Sequence, residues 1–320
     1  MTIFLHILGY NILPIFILII AGYMLSHKFE LNVSTLSKLN FYIFVPSFIF
    51  YNLYTTKLAF DMVKVLLCSI LILASNTLLA AVITKIRNYD AAMANAFKNS
   101  VMFNNCGNIG LSLITLVFSS TPFIVNGETP YLTTALSAQV MILVLQNVAS
   151  NTLGFYYAGR ASLSLKDSIK KILSMPIIYA MPAALLLKLI PFDFTTAPGW
   201  PGLVYLKNGL VPFSLITLGI QLEKTSISFT NKEVYISALS RLIIGPILAI
   251  LMIYIFGFSG VTAQTIMIAY AVPTAVNTAL IAVEFKNCED FASQAVMMST
   301  LLSAATLTIS IYAARILFPV

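Results

Sequence analysis

Ten mostly apolar runs, each close to the roughly 20 residues a helix needs to cross a bilayer, follow one another along almost the whole chain. They cover residues 4–25, 36–54, 62–84, 93–118, 131–157, 169–190, 203–222, 234–258, 261–285 and 291–318. In hydrocarbon every backbone N–H and C=O must find a partner within the protein, so runs of this length are read as helices. Composition agrees. Hydrophobic residues make up 59% of the chain and charged residues 9%, against about 25% charged in soluble domains. The charges are too few to cover a soluble surface of this size. The expected fold class is an all-α polytopic membrane protein of about ten transmembrane spans. The first run has no basic residue before it and is read as a retained helix rather than a cleaved signal.

The basic residues test this map. With the N-terminus outside, Lys28, Lys38, Lys85, Arg87, Lys98, Arg160, Lys166, Lys170, Lys171, Lys224, Lys232, Arg241 and Lys286 fall inside, 13 of the 18 basic residues. Lys57, Lys64, Lys188, Lys207 and Arg315 fall outside. The positive-inside bias therefore favours both termini outside a plasma membrane and an even number of spans. The same distribution explains the net charge of +7 without a nucleic-acid partner. Lipid is the surrounding partner instead. Cys68, Cys106 and Cys288 lie far apart with no C-x-x-C spacing, so neither a metal cluster nor a disulfide framework is supported.

The chain also repeats itself. Pro14 in span 1 is echoed by Pro176 in span 6, and V-P-S-F-I around Pro46 by V-P-F-S-L around Pro212. F-N-N-C-G-N-I-G-L at 103–111 is echoed by Y-A-V-P-T-A-V-N-T at 270–278. The offsets, 162, 166 and 167 residues, nearly agree. Five spans per half is odd, so halves 1–160 and 161–320 would insert in opposite orientations, as an inverted repeat of the kind found in many secondary transporters. Chance recurrence of prolines in apolar helices is the competing reading.

Two segments inside apolar runs stand out: Asn104, Asn105, Cys106, Gly107, Asn108 and Gly110 in span 4, and Pro273, Thr274 and Asn277 in span 9. Gly and Pro loosen the helical ladder, and three Asn within five residues are costly in hydrocarbon unless they line a cavity or find partners. The expectation is two broken helices that cross near the midplane. Each break would expose N–H groups at the start of a half-helix, carrying partial positive charge. With the Asn amides this makes a site for an anion without a buried cation. Gln146 and Asn147 in span 5 are candidates to face the crossing. Helix-to-helix packing by small residues and amides is the competing reading for all of these.

Other chemistry finds little support. Asp61, Asp193, Glu223 and Glu284 all sit at span ends, so a proton relay has no evident carrier. No nucleophilic set and no H-E-x-x-H metal motif is present. No enzyme activity, cofactor or metal is implied.

L-N-F-Y-I-F-V-P-S-F-I-F at 39–50, N-C-G-N-I-G-L-S-L at 105–113 and P-T-A-V-N-T-A-L-I-A at 273–282 resemble the auxin efflux carrier family. The run Val144, Leu145, Gln146, Asn147 and the run Leu218, Gly219, Ile220 also fit. The resemblance covers nearly the whole chain. It implies ten helices in two inverted five-helix repeats. Spans 1, 2, 6 and 7 would form a scaffold and the homodimer contact. Spans 3–5 and 8–10 would form a transport domain containing the crossed helices 4 and 9. It implies a small organic anion as substrate, moved by an elevator-type motion. Asn104, Asn105, Gly107, Asn108, Gly110, Gln146, Asn147, Pro273, Thr274 and Asn277 would form the substrate site. Two departures are visible. Ser112 stands where the family often has proline, which leaves the second half-helix open, and 160–171 is too short for the long cytosolic loop of plant members. A cation-coupled carrier of the bile-acid or antiporter type, and a membrane sensor on the same fold, are the alternatives.

Overall fold

In the computed structural model residues 2–55, 61–158, 176–225 and 230–320 are described. The first part of predicted span 6, its preceding loop with Arg160, Lys166, Lys170 and Lys171, the boundary between the two predicted halves, and Lys57 lie outside these residues. The described chain is helical. Its helices are α1 (Ile3–Lys28), α2 (Val33–Thr55), α3 (Met62–Ile86), α4 (Ala91–Met102), α5 (Cys106–Phe118) and α6 (Leu132–Ala158). They continue with α7 (Pro176–Leu187), α8 (Trp200–Glu223), α9 (Lys232–Phe256), α10 (Gly260–Ala271), α11 (Val276–Phe285) and α12 (Glu289–Leu317). Among the described residues seven helices are long and apolar enough to cross a membrane: α1, α2, α3, α6, α8, α9 and α12. Predicted spans 4 and 9 are each divided in two, as α4 with α5 and α10 with α11.

Local chemistry sets the helix ends. Asn32 starts α2 by accepting from the Thr35 N–H at 2.9 Å, and Asp90 starts α4 by accepting from Met93 at 2.8 Å. Asn231 does the same for α9, accepting from Glu233 at 3.1 Å. Such caps satisfy backbone donors that the first turn leaves free. Gly257 closes α9 and Lys286 closes α11 in the left-handed conformation.

Burial separates an inner from an outer group. In α10 every residue from Ala263 to Ala271 is buried, and α6 is buried along most of its length. A helix covered on all sides belongs in the centre. By contrast α1 exposes Leu13, Ile17, Ile20 and Met24, and α9 exposes Ile247, Leu251, Tyr254 and Ile255. These apolar stripes form the exposed outer surface.

α1 and α8 cross at backbone contact. A Cβ on Gly22 would stand 2.1 Å from the Ile216 carbonyl oxygen, and a Cβ on Gly219 would stand 1.9 Å from that of Ile19. Only glycine fits at either place, and the two contacts are reciprocal.

Five helices contain one wide π-helical turn: Ile7–Ile12, Asn40–Phe44, Cys106–Gly110, Ser150–Gly154 and Ser240–Ile244. Each carries a buried polar side chain, respectively Asn11, Asn40, Asn108, Asn151 and Arg241. Wide turns of this kind cluster at functional sites. Here they bring polar groups inward on otherwise apolar helices.

Candidate functional site

The two breaks expected from the Asn, Gly and Pro residues meet. α4 and α10 are each twelve residues long and both stop in extended backbone, at Phe103 and at Val272. Asn104 pairs with Thr274 as an isolated antiparallel bridge. The Asn105 N–H donates to the Pro273 carbonyl at 2.8 Å, and the Ala275 N–H donates to the Phe103 carbonyl at 2.9 Å. Each interrupted chain thus supplies the other with the partners its own helix lost.

The carbonyl ends of α4 and α10 are capped by exchange across the crossing. Asn104 Nδ2 donates to the Ala269 carbonyl at 2.7 Å, and the Thr274 hydroxyl donates to the Ser100 carbonyl at 2.9 Å. The Thr274 N–H reaches Ser299 Oγ on α12 at 3.2 Å. Arg241, fully buried ten residues into α9, completes the set. Its Nη1 donates to the Val101 carbonyl at 3.1 Å and its Nη2 to the Tyr270 carbonyl. One guanidinium thus holds the carbonyl ends of both interrupted helices at the crossing. Arg241 also leaves the loop tally, which becomes twelve basic residues against five.

On the other side of the crossing a cavity of about 40 Å³ opens, lined by the first turns of α5 and α11, by α6 and by Phe41 of α2. Seven of the ten predicted site residues line it: Asn104, Asn105, Gly107, Asn108, Gln146, Asn147 and Asn277. The other three serve the crossing. Pro273 offers its carbonyl to Asn105, Thr274 caps α4, and Gly110 packs against Gln139, whose Nε2 would stand 2.7 Å from an added Cβ. Among the described residues no Asp, Glu, Lys or Arg lines the cavity. The formal charge nearest the crossing in hydrogen-bond terms is Arg241.

The amides are oriented by their neighbours. Asn108 Oδ1 accepts from Asn40 Nδ2 at 3.1 Å, and Asn40 Oδ1 accepts from the Ser214 hydroxyl at 2.9 Å. This bond engages one of the two lone pairs of Asn108 Oδ1 and so orients the amide. Asn105 Oδ1 accepts from the Asn108 N–H at 3.2 Å, while Asn105 Nδ2 is buried with no protein partner. The Gln146 amide lies beside the Tyr270 side chain. Buried donors without partners carry a desolvation cost unless something else binds them. Gln139 Nε2 holds the Cys106 carbonyl at 2.8 Å, and the Ser112 hydroxyl donates to the Asn108 carbonyl at 2.6 Å. With Ser112 in place of the proline, α5 continues unbroken from its wide turn.

A second cavity of about 330 Å³ shares Phe41, Asn147 and Asn277 with the first. Its other walls include Tyr42, Phe155, Leu280 and Ile281, with Ser34, Ser37 and Lys38 from the first turns of α2.

Sequence reasoning missed Asn40, Ser214 and Arg241. Arg241 carried a readable signal. It falls inside the predicted span 234–258, and an arginine at such a position marks a functional site by default. Asn40 lies in the quoted run 39–50 but close enough to the start of its helix to pass for an interfacial residue.

Comparison with known proteins agrees with this architecture. The model of a family described as membrane transport protein matches residues 8–311. A relative from Methanothermobacter thermautotrophicus described as an uncharacterized transporter is 24% identical over 303 residues, spanning 93% of this chain and 95% of its own length. A match across nearly the entire chain, on an all-helical polytopic fold with two interrupted helices, shows that the chain belongs to the membrane transport protein family, that of the auxin efflux carriers.

Proposed function

We propose that this transporter carries an organic anion with one carboxylate-like end and an apolar body. The supporting observation is the composition of the crossing cavity. Six amide side chains and two helix N-termini converge there, and among the described residues no acidic one does. Helix N-termini carry about half a positive charge each, and oriented amide donors add hydrogen bonds without titrating. Asn105 Nδ2 is free to donate. A volume of about 40 Å³ holds a head group rather than a whole organic acid. The adjoining cavity of about 330 Å³, walled by Phe41, Tyr42, Phe155, Leu280 and Ile281, suits an apolar remainder, with Lys38 there to attract anions.

The motion we propose is elevator-like alternating access. α1, α2, α7 and α8 form the scaffold and the homodimer contact, and α3–α6 and α9–α12 move as the transport domain. The glycine crossing of α1 with α8 supports a rigid scaffold. Halves 1–160 and 161–320 lie in opposite orientation, and each gives helices to both groups, with both termini outside the plasma membrane. A cation-coupled carrier is disfavoured by the absence of acidic groups from the cavity lining.

The test is a thermal-shift panel of mono- and dicarboxylates on purified protein, followed by flux of the stabilising acids into proteoliposomes. Monocarboxylates with an apolar body should stabilise the protein and cross the bilayer, and Asn108→Ala and Asn277→Ala should weaken both effects. Stabilisation without flux would assign a sensor. Dicarboxylates outcompeting every monocarboxylate would overturn the proposed substrate class.

A further inference from the structure

We infer that Arg241 is a tethered cation standing where a cation-coupled carrier would bind its ion, so that the helix crossing is complete without Na⁺. This goes beyond the substrate reading and holds whichever solute is carried.

The argument starts from the ends of α4 and α10. Each helix stops inside the protein, and its last carbonyls carry partial negative charge, about −0.5 per helix. The two ends meet at the crossing, so their partial negative charges collect in a buried place. One guanidinium sits against them. Arg241 reaches both ends at once, through Nη1 to Val101 and Nη2 to Tyr270. Its planar fork presents two donors in fixed directions, and it stays protonated throughout the physiological range. Two further carbonyls of these ends, those of Ser100 and Ala269, are taken by Thr274 and Asn104.

The surroundings fit a cation and lack a counter-ion. No carboxylate pairs with Arg241 among the described residues. Asn76 Oδ1 on α3 is buried without a hydrogen-bond partner. A Cβ built on Gly245 would stand 3.3 Å from Arg241 Nη2 and 3.6 Å from Asn76 Oδ1, so the guanidinium and that amide oxygen border the same point. Carbonyls at half-helix C-terminal ends are among the ligands that hold Na⁺ at broken helices in other carriers. Here the guanidinium takes two of them. Arg241 does not line the anion cavity; it acts through the crossing and is a positioning residue.

The test compares thermal unfolding of the purified full chain in sodium, potassium and choline chloride at matched ionic strength, for wild type and for Arg241→Ala. Wild type should unfold at the same temperature in all three salts. Arg241→Ala should unfold earlier in choline and regain about 2–4 °C in sodium or in millimolar guanidinium. A sodium-dependent rise in wild type would overturn the inference. So would an Arg241→Ala protein equally destabilised in every salt with no gain from guanidinium, because Arg241 would then be a packing residue only. If Arg241→Ala yields no folded protein, Arg241→Lys replaces it. Lysine keeps the charge, so this variant should fold and remain insensitive to sodium, and a sodium response there would refute the tethered-cation role.

Discussion

Asn40 Nδ2 donates to Asn108 Oδ1 across 3.1 Å, joining α2 to the first turn of α5. Ser214 on α8 donates to Asn40 Oδ1 in turn at 2.9 Å. A chain of three side chains therefore runs from α8, through α2, to the wall of the crossing cavity. Its effect is to fix which end of the Asn108 amide faces the cavity. Asn40→Ala should leave Asn108 Oδ1 and Ser214 Oγ unpaired, at a cost of about 1–3 kcal/mol in stability. It should also let the Asn108 amide rotate, weakening carboxylate binding by about tenfold, or 1.4 kcal/mol. Ligand titration by thermal shift measures both effects. Affinity unchanged in Asn40→Ala would show that Asn108 does not present its amide to the solute.

Both glycines at the α1–α8 crossing should be intolerant of a methyl group. Gly22→Ala would press on the Ile216 carbonyl and Gly219→Ala on that of Ile19, both at distances no real Cβ occupies. The contacted atoms are backbone, so they cannot step aside. Overpacking of this kind costs about 1–3 kcal/mol or more, and each variant should lose most of its monodisperse yield. Gly9→Ala, on the same helix with nothing within 4 Å, is the control and should behave as wild type. Normal yield for Gly22→Ala would mean that the two helices are not held at backbone contact.

The breaks in spans 4 and 9 were legible because Gly, Pro and Asn interrupt apolar runs at nearly the same offset, and few other sequences tolerate that cost in lipid. The partners of those breaks were not. Asn40 becomes a site residue only because α5 and α8 close over it, a tertiary fact with no periodic signature. Arg241 lies ten residues into a helix, yet in sequence it follows Lys232 and Glu233 closely enough to be grouped with a loop. The split between cavity-lining and crossing residues was equally hidden. Gly107 and Gly110 occupy one turn, but only Gly107 lines the cavity while Gly110 abuts Gln139. Sequence position sets the turn; the packing of α6 decides which glycine is left open.

Cys288, between α11 and α12, reports on both sidedness and local charge. Its thiol is pushed up from the ordinary cysteine range, first by burial and then by the Asp90 carboxylate. Only the thiolate reacts readily, so labelling by an impermeant maleimide should be slow at neutral pH and keep accelerating as pH rises past the usual thiol range. Asp90→Asn keeps the oxygen that caps α4 but removes the charge, and should speed labelling modestly, since burial is the larger cause. With Cys68→Ala and Cys106→Ser as background, intact cells should show no labelling and opened cells should. Reaction in intact cells would reverse the proposed orientation.

The exchange of caps between α4 and α10 predicts energetic coupling between Asn104 and Thr274. Asn104 caps α10 through Ala269, and Thr274 caps α4 through Ser100. The two residues also face each other in the same backbone bridge. Asn104→Ala should strand the Ala269 carbonyl and Thr274→Val the Ser100 carbonyl, each costing about 1–3 kcal/mol because the group is buried. Val keeps the shape of Thr, so its effect reads the lost hydrogen bond more than lost packing. Once either cap is gone the bridge loosens and the second cap is worth less. The double variant should therefore fall short of the sum of the two by about 0.5–3 kcal/mol, the range for residues in one network. Thermal unfolding of the four proteins in one buffer closes the cycle. Strict additivity would mean that the two helix ends are stabilised separately, and that the crossing is a contact between two independent breaks rather than one shared structure.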